Sequence, residues 1–292
     1  MKNNLLISTL LLNLIVLACG PVSAEEETIP NHTEETITLA TDSVDLSTLS
    51  GRQVFDEISN RHDQKYEFEL KKMLLVDRSG NEEQRFLKRY VREIDDEETR
   101  YATVFIKPAG IKGVSLLTWQ HDNSADDQWL YLPAYGKKMK RISKGGKKNY
   151  FMGTDYTFED LASDSKDNFD YQRLPDETID NNNYFVIKSV VIDPSLKKES
   201  GYGYRQFWIK QQNYFVTKID FYDKRERLIK RQENSELVKI KDQVWRANKT
   251  TMEHFRNKHK TISFVESRSF DENDVPEKSF RERSIINGSL TK

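Results

Sequence analysis

The chain has 292 residues, enough for one large β domain or two small ones, with 36% hydrophobic residues, 32% charged residues and a net charge of -1. That balance gives no basic surplus to suggest nucleic acid as a partner, and the single cysteine excludes an internal disulfide framework and a cysteine-based zinc site. The 15 Phe, 13 Tyr and 4 Trp favour strands over a helical bundle.

Residues 1–24 read as a secretory signal peptide. Lys2 supplies positive charge, Leu5 to Ala18 form an apolar run, and Val22, Ser23 and Ala24 offer a cleavage site before Glu25. The run is shorter than the ~20 apolar residues of a membrane crossing, and nothing later in the chain approaches that length. Cleavage after Ala24 leaves a mature chain without cysteine, which suits an oxidising compartment. The alternative is lipid anchorage through Cys19, because Val16-Leu17-Ala18-Cys19 resembles a lipobox.

Residues 25–48 are acidic, Thr-rich and poor in apolar side chains, and read as a disordered leader. A single domain is expected over 49–292. Val54, Phe55 and Ile58 recur at helical spacing, which predicts an amphipathic helix over 50–61. From Lys65 the period changes to two, with Tyr66, Phe68 and Leu70 alternating with Glu67, Glu69 and Lys71. Further strands are expected at 86–94, 101–106, 114–120, 128–132 and 138–142, joined by short turns in an antiparallel meander. The segment 143–180 breaks the pattern with the basic loop Lys144-Gly145-Gly146-Lys147-Lys148 and a short helix start at Thr157-Phe158-Glu159-Asp160-Leu161. Strands resume at 184–192, 202–210, 214–222, 227–238, 244–253 and 261–267, and Val275, Pro276 and Phe280 suggest a final docked segment. About a dozen strands with two helical interruptions fit one open or closed β-barrel better than separate domains.

Catalytic patterns are missing from the sequence. The five histidines form no His-Glu-x-x-His arrangement, no Gly-x-Ser-x-Gly elbow occurs, and Gly201-Tyr202-Gly203-Tyr204 lacks the helix that a phosphate loop needs. Asp155, Glu159 and Asp160 cluster near Lys137, Lys138, Lys140 and Arg141, and read as salt-linked or capping groups rather than as an acid/base pair. An enzyme would need Asp155 or Glu159 in a cavity facing another acid. No metal or cofactor is expected. The seven Lys/Arg residues of 137–148 form either a patch for anionic headgroups or an acidic partner, or a turn kept soluble by lysines.

The aromatic residues fill a core or line a cavity. A dozen-strand barrel is wider than an eight-stranded one, whose side chains can just fill the interior, so helices or a ligand must close it. Trp129 and Tyr131 share one strand face, as do Tyr204 and Trp208. With Trp119 they are the candidate cavity wall, although alternation alone leaves open which face points inward. Val54, Phe55 and Ile58 of the helix, with Phe151, Met152, Gly153, Tyr156, Phe158 and Leu161, are the candidate mouth and lid. Lys137, Lys138, Lys140 and Arg141 are the candidate partner or headgroup patch.

Trp129-Leu130-Tyr131-Leu132-Pro133-Ala134, Lys138-Met139-Lys140-Arg141-Ile142 and Phe151-Met152-Gly153-Thr154-Asp155-Tyr156-Thr157-Phe158-Glu159-Asp160-Leu161 together resemble the outer-membrane lipoprotein-sorting proteins of the LolA-like superfamily. Phe207-Trp208-Ile209 and Tyr222-Asp223-Lys224 fit the same pattern, and the resemblance runs from about Ser50 to Phe280. It implies a half-open, strongly curved antiparallel β-barrel with helical lid segments. It further implies a monomeric, non-enzymatic carrier in the periplasm of a Gram-negative bacterium. Such a carrier would hold a lipid or lipoprotein acyl chains in an apolar cavity, touch membranes transiently and work beside an inner-membrane transporter of the resistance-nodulation-division class. The alternative is an accessory subunit that docks on such a transporter without carrying anything.

Overall fold

The computed structural model describes residues 45–122, 126–162 and 165–292, so the expected signal peptide, Cys19 and leader residues 25–44 lie outside the described residues. Asp45–Lys292 form one compact unit, which starts with a short turn at Leu46–Thr48. The predicted helix forms as α1 (Gly51–His62). It starts at a capping box in which Ser50 accepts from the Gln53 backbone N–H while the Gln53 side chain accepts from the Ser50 N–H.

The first meander comprises β1 (Tyr66–Val76), β2 (Glu82–Glu93), β3 (Glu98–Lys107), β4 (Ser115–His121), β5 (Asp127–Tyr131) and β6 (Met139–Arg141). The second comprises β7 (Phe169–Ile179), β8 (Asn182–Val191), β9 (Tyr204–Lys210), β10 (Phe215–Tyr222), β11 (Leu228–Lys241), β12 (Val244–His254) and β13 (His259–Ser269). Pairing of β1 with β13 joins the two into one antiparallel sheet of 13 strands among the described residues, in the order β6-β5-β4-β3-β2-β1-β13-β12-β11-β10-β9-β8-β7. The sheet is curved and does not close, so β6 and β7 are its edges. It is the half-open barrel that the motifs implied.

Strand β7 was not expected from the sequence. It carries Pro175 and a run of acidic residues, and its register with β8 slips between Leu174 and Glu177. Both features are tolerated on an edge strand, where one row of backbone groups has no partner strand. The short α2 (Pro194–Glu199), capped by Asp193, was also missed.

The two sheet faces are buried in different ways. On the convex face, the C-terminal segment with α3 (Glu282–Ile286) lays Val275, Phe280, Ile285 and Leu290 against Tyr90, Ala102, Val104, Leu117 and Tyr131. The concave face is covered at one end by Phe151 and Phe158, packed on Met73, Leu75, Leu87, Phe105 and Leu116, and at the other by α1.

Candidate functional site

Topology explains the most distinctive sequence motif. Strands β6 and β7 are consecutive in the chain but lie at opposite edges of the sheet, so residues 142–168 must cross between the edges. The Phe151–Leu161 stretch crosses over the concave face and is fastened there by its carboxylates. Asp155 accepts from Thr261 Oγ1 at 2.8 Å and lies 2.7 Å from His259 Nδ1. Glu159 accepts from Ser200 Oγ (2.5 Å), Gly201 N (2.9 Å) and Arg205 Nη2 (3.0 Å). Asp160 pairs with Lys230 and accepts from Tyr202 Oη (2.8 Å) and Thr157 N (2.7 Å). Burial raises the Asp160 pKa, but the attraction of Lys230 and Arg205 outweighs it and holds the carboxyl below its ordinary range.

These acids are salt-linked as expected, but to Arg205, Lys230 and His259 rather than to the lysines of 137–141. None is positioned as an acid/base pair. Arg85 Nη1 donates to Met152 O at 2.6 Å, where φ is positive at both Met152 (50°) and Gly153 (76°). Glycine supplies the second of these left-handed residues without a steric cost.

Helix α1 covers the concave face at the other edge. Val54 is fully buried against Phe185, Ile187 and Ile209, with Phe55 and Ile58 packed around it. Its first residue must be glycine, because a Cβ on Gly51 would stand 2.3 Å from the Tyr171 carbonyl oxygen on β7. Its last residue, His62, sets Nε2 3.0 Å from Asn213 O and accepts from Trp245 N through Nδ1 (3.3 Å). That pattern makes Nε2 the protonated nitrogen of a neutral ring. Burial lowers the His62 pKa against the opposing pull of its backbone acceptor.

Between the crossing segment and the end of α1 lies a cavity of about 820 Å³, open on one side. Its wall changes character along the strand direction. At the covered end are Met73, Leu87, Phe151, Tyr156 and Leu161; at the open end are Asp63, Glu93, Asp95, Asp96 and Glu97. Between them the floor carries Glu67, Glu69, Lys71, Arg89, Arg246 and Arg268. Arg246 grips Glu67 through Nε (2.9 Å) and Nη2 (3.2 Å). Arg268 donates to Glu69 Oε1 through Nε (2.9 Å) and Nη2 (2.7 Å). Burial raises the Glu69 pKa, but Lys71, Arg89 and Arg268 together force it well below the carboxylate range.

The structure therefore corrects the expected apolar cavity: only one end is apolar. The residues named as its wall lie elsewhere. Trp119 and Trp129, with ring centroids 5.0 Å apart, and Tyr131 sit on the convex face beneath the C-terminal segment. Tyr204 stacks on Tyr222 at 4.3 Å, and Trp208 donates from Nε1 to Glu177 at 2.8 Å with Lys218 over its ring; neither lines the cavity. Of the named lid residues, Phe151, Tyr156 and Leu161 reach the cavity. Val54, Phe55, Ile58, Met152 and Phe158 pack in the clusters that cover the sheet, and Gly153 shapes the turn. Lys137, Lys138, Lys140 and Arg141 are exposed at the β6 edge, where Arg141 pairs with Asp127 and Tyr135 is 76% exposed. The floor charges were missed. Their signal was the alternation of Glu67, Glu69 and Lys71 with Tyr66, Phe68 and Leu70, in which the charged set faces inward.

Among the described residues, no group of three or more His, Cys, Asp or Glu side chains is placed to hold a metal ion. No helix among them is long and apolar enough to cross a membrane.

A family model described as an uncharacterized protein matches residues 97–287. No curated protein matches the sequence. Among solved structures, an outer membrane lipoprotein-sorting protein domain from Vibrio parahaemolyticus is similar at 26% identity and TM-score 0.75, covering 81% of this chain and 98% of that one. A DUF1329 family protein from Desulfovibrio piger shares the fold at 23% identity and TM-score 0.74, covering 80% of this chain and 97% of that one. So does a LolA superfamily protein from Nitrosomonas europaea, at 18% identity and TM-score 0.61, covering 80% and 98%.

Proposed function

Since the chain belongs to the DUF1329 family and has the LolA-like fold, we propose that it is a periplasmic carrier that takes a lipid or lipoprotein acyl chains into its cavity and moves them between membranes. The observation that carries this reading is the 820 Å³ cavity, which is walled by the concave sheet, roofed by the crossing segment and α1, and apolar at its covered end. Each acyl methylene buried there is stabilised by about 0.8 kcal/mol relative to water, so even the short apolar end holds part of a chain firmly. Release then requires a membrane or partner of comparable affinity, and an inner-membrane transporter of the resistance-nodulation-division class would supply or receive the cargo. The carrier reading needs no covalent step, and the carboxylates of the crossing segment are occupied in holding it down. Protein purified from its native host should carry co-extracted lipid detectable by mass spectrometry. Protein that is repeatedly empty and takes up no fluorescent acyl probe sinks the proposal.

The exposed edge favours a second reading, an accessory subunit docking on the transporter without carrying cargo. Tyr135, Lys137, Lys138 and Lys140 form a basic, aromatic-tipped surface beside the unpaired side of β6. Charge reversal at these lysines and Arg141 should then abolish transporter pull-down in a protein that binds no acyl probe.

A further inference from the structure

Four cations and two carboxylates meet on the cavity floor, and their geometry divides the cations into two kinds. Arg246 and Arg268 are spent: each makes two hydrogen bonds to a glutamate, and each also donates to a backbone carbonyl, Trp245 O and Ala247 O respectively. Arg89 and Lys71 are not. The guanidinium of Arg89 approaches its carboxylates only at 3.5 Å (Glu69) and 3.9 Å (Glu67), beyond good hydrogen-bond distance, and about a third of its side chain (32%) remains open. Lys71 reaches Glu69 Oε2 at 2.9 Å and has two further donors.

Arg89 Nη1 and Lys71 Nζ therefore flank the same oxygen, Glu69 Oε2, at 3.5 and 2.9 Å. They are close enough for one further anionic group to touch both. Two glutamates neutralise two of the four cations, and the surplus positive charge faces a cavity. Immediately beyond, along the strand, the wall turns apolar: Leu87 is the cross-strand partner of Lys71, Met73 lies two residues further, and Phe151 and Tyr156 roof them. The acidic open end lies on the other side. Its nearest carboxylate, Glu93, is four residues from Arg89 along β2 and lies across from Lys65, six residues from Lys71 along β1. Four residues of strand span roughly 13 Å, which exceeds the Debye length of ~8 Å at physiological salt. Solvent thus screens the rim carboxylates from the floor more effectively than the buried charges are screened from one another.

We propose that the cavity selects an amphiphile with an anionic headgroup, a carboxylate or phosphate, bound between Arg89 and Lys71 with its tail against Met73 and Leu87 beneath Phe151. This rests on the carrier reading and narrows it, because the ester- and amide-linked acyl chains of a lipoprotein end in neutral linkages and bring no such charge to the floor. A carboxylate or phosphate accepts donors in the fork geometry that guanidinium presents, so Arg89 fixes orientation as well as charge.

The test titrates the purified protein with cis-parinaric acid, with its methyl ester and, by calorimetry, with inorganic phosphate. The acid should bind roughly tenfold or more tighter than the ester, with the preference shrinking in high salt. Arg89→Gln and Lys71→Gln should each remove most of that preference. Glu67→Gln should strengthen acid binding by removing a competing carboxylate, an increase that a folding defect does not imitate. Equal binding of acid and ester overturns the headgroup assignment while leaving the carrier reading intact. Phosphate binding that Arg89→Gln abolishes, with neither amphiphile bound, keeps the anion site, overturns its amphiphilic ligand and counts against the carrier. Binding of none of the three overturns both.

Discussion

At the scale of single residues, the most consequential side chain is Lys230. It is 1% exposed, pairs with Asp160, donates to Asp155 O at 3.2 Å and lies against the rings of Tyr202 and Phe221. A buried ion pair is weak evidence for net stability, because desolvating both charges offsets most of their attraction. Removing one partner is a different matter, since it strands the other charge out of water. Lys230→Met should therefore destabilise the fold by about 3–5 kcal/mol, whereas Lys230→Met combined with Asp160→Leu should recover a large part of that loss. Urea denaturation of both single variants and the double variant measures the coupling; additive losses would mean that the two groups do not depend on each other. Asp160, held below its ordinary pKa, stabilises the fold above the unfolded value of about 3.9, and that stability is lost as pH falls through the folded value.

At the scale of elements, α1 depends on a neutral histidine at its C-terminal end. Protonating His62 would place a hydrogen on Nδ1, where Trp245 N now donates, so the charged ring loses a bond that the neutral ring makes. Because burial lowers the folded pKa, the unfolded chain binds the proton first. The stabilising contribution is fully present above about pH 6.5 and is lost as pH falls through the folded value. The melting temperature of the protein should drop below pH 6.5 by more than that of a His62→Gln variant; parallel profiles would show that His62 carries no linkage. The element itself was easy to foresee, since Val54, Phe55 and Ile58 carry the helical period; the structure adds the Ser50–Gln53 cap that starts it. The strands were legible for the same reason, because a period of two survives any tertiary arrangement. Strand β7 was not, since Pro175 and its acidic run are permitted by its edge position, a fact of topology rather than of local pattern. The role of the Phe151–Leu161 stretch was equally hidden, because the partners that fasten Asp155, Glu159 and Asp160 to the sheet lie 41–106 residues away.

At the scale of the whole molecule, both faces of the sheet are buried, which is why the direction of the alternation could not be read from the sequence. A sheet with one wet face sends its apolar set inward. Here the C-terminal segment covers one apolar set of the first meander on the convex side, and the concave side of β1 and β2 is divided between the apolar Met73, Leu75 and Leu87 and the charged Glu67, Glu69, Lys71 and Arg89. Trp119, Trp129 and Tyr131, the obvious wall of a greasy cavity, are instead the seat of Val275, Phe280, Ile285 and Leu290. Phe280 is fully buried, and Phe280→Ala should cost about 3–5 kcal/mol by opening a cavity in that layer. Ending the chain after Asp274 should go further, shifting tryptophan emission to the red as Trp119 and Trp129 meet water and creating a site for the apolar dye anilinonaphthalene sulfonate. Ligand binding to the intact protein should produce no comparable red shift, because none of Trp119, Trp129, Trp208 and Trp245 lines the cavity. A truncated protein with unchanged emission would mean that the C-terminal segment does not seal the convex face. A large tryptophan shift on ligand binding would move the binding site to that face and away from the charged floor.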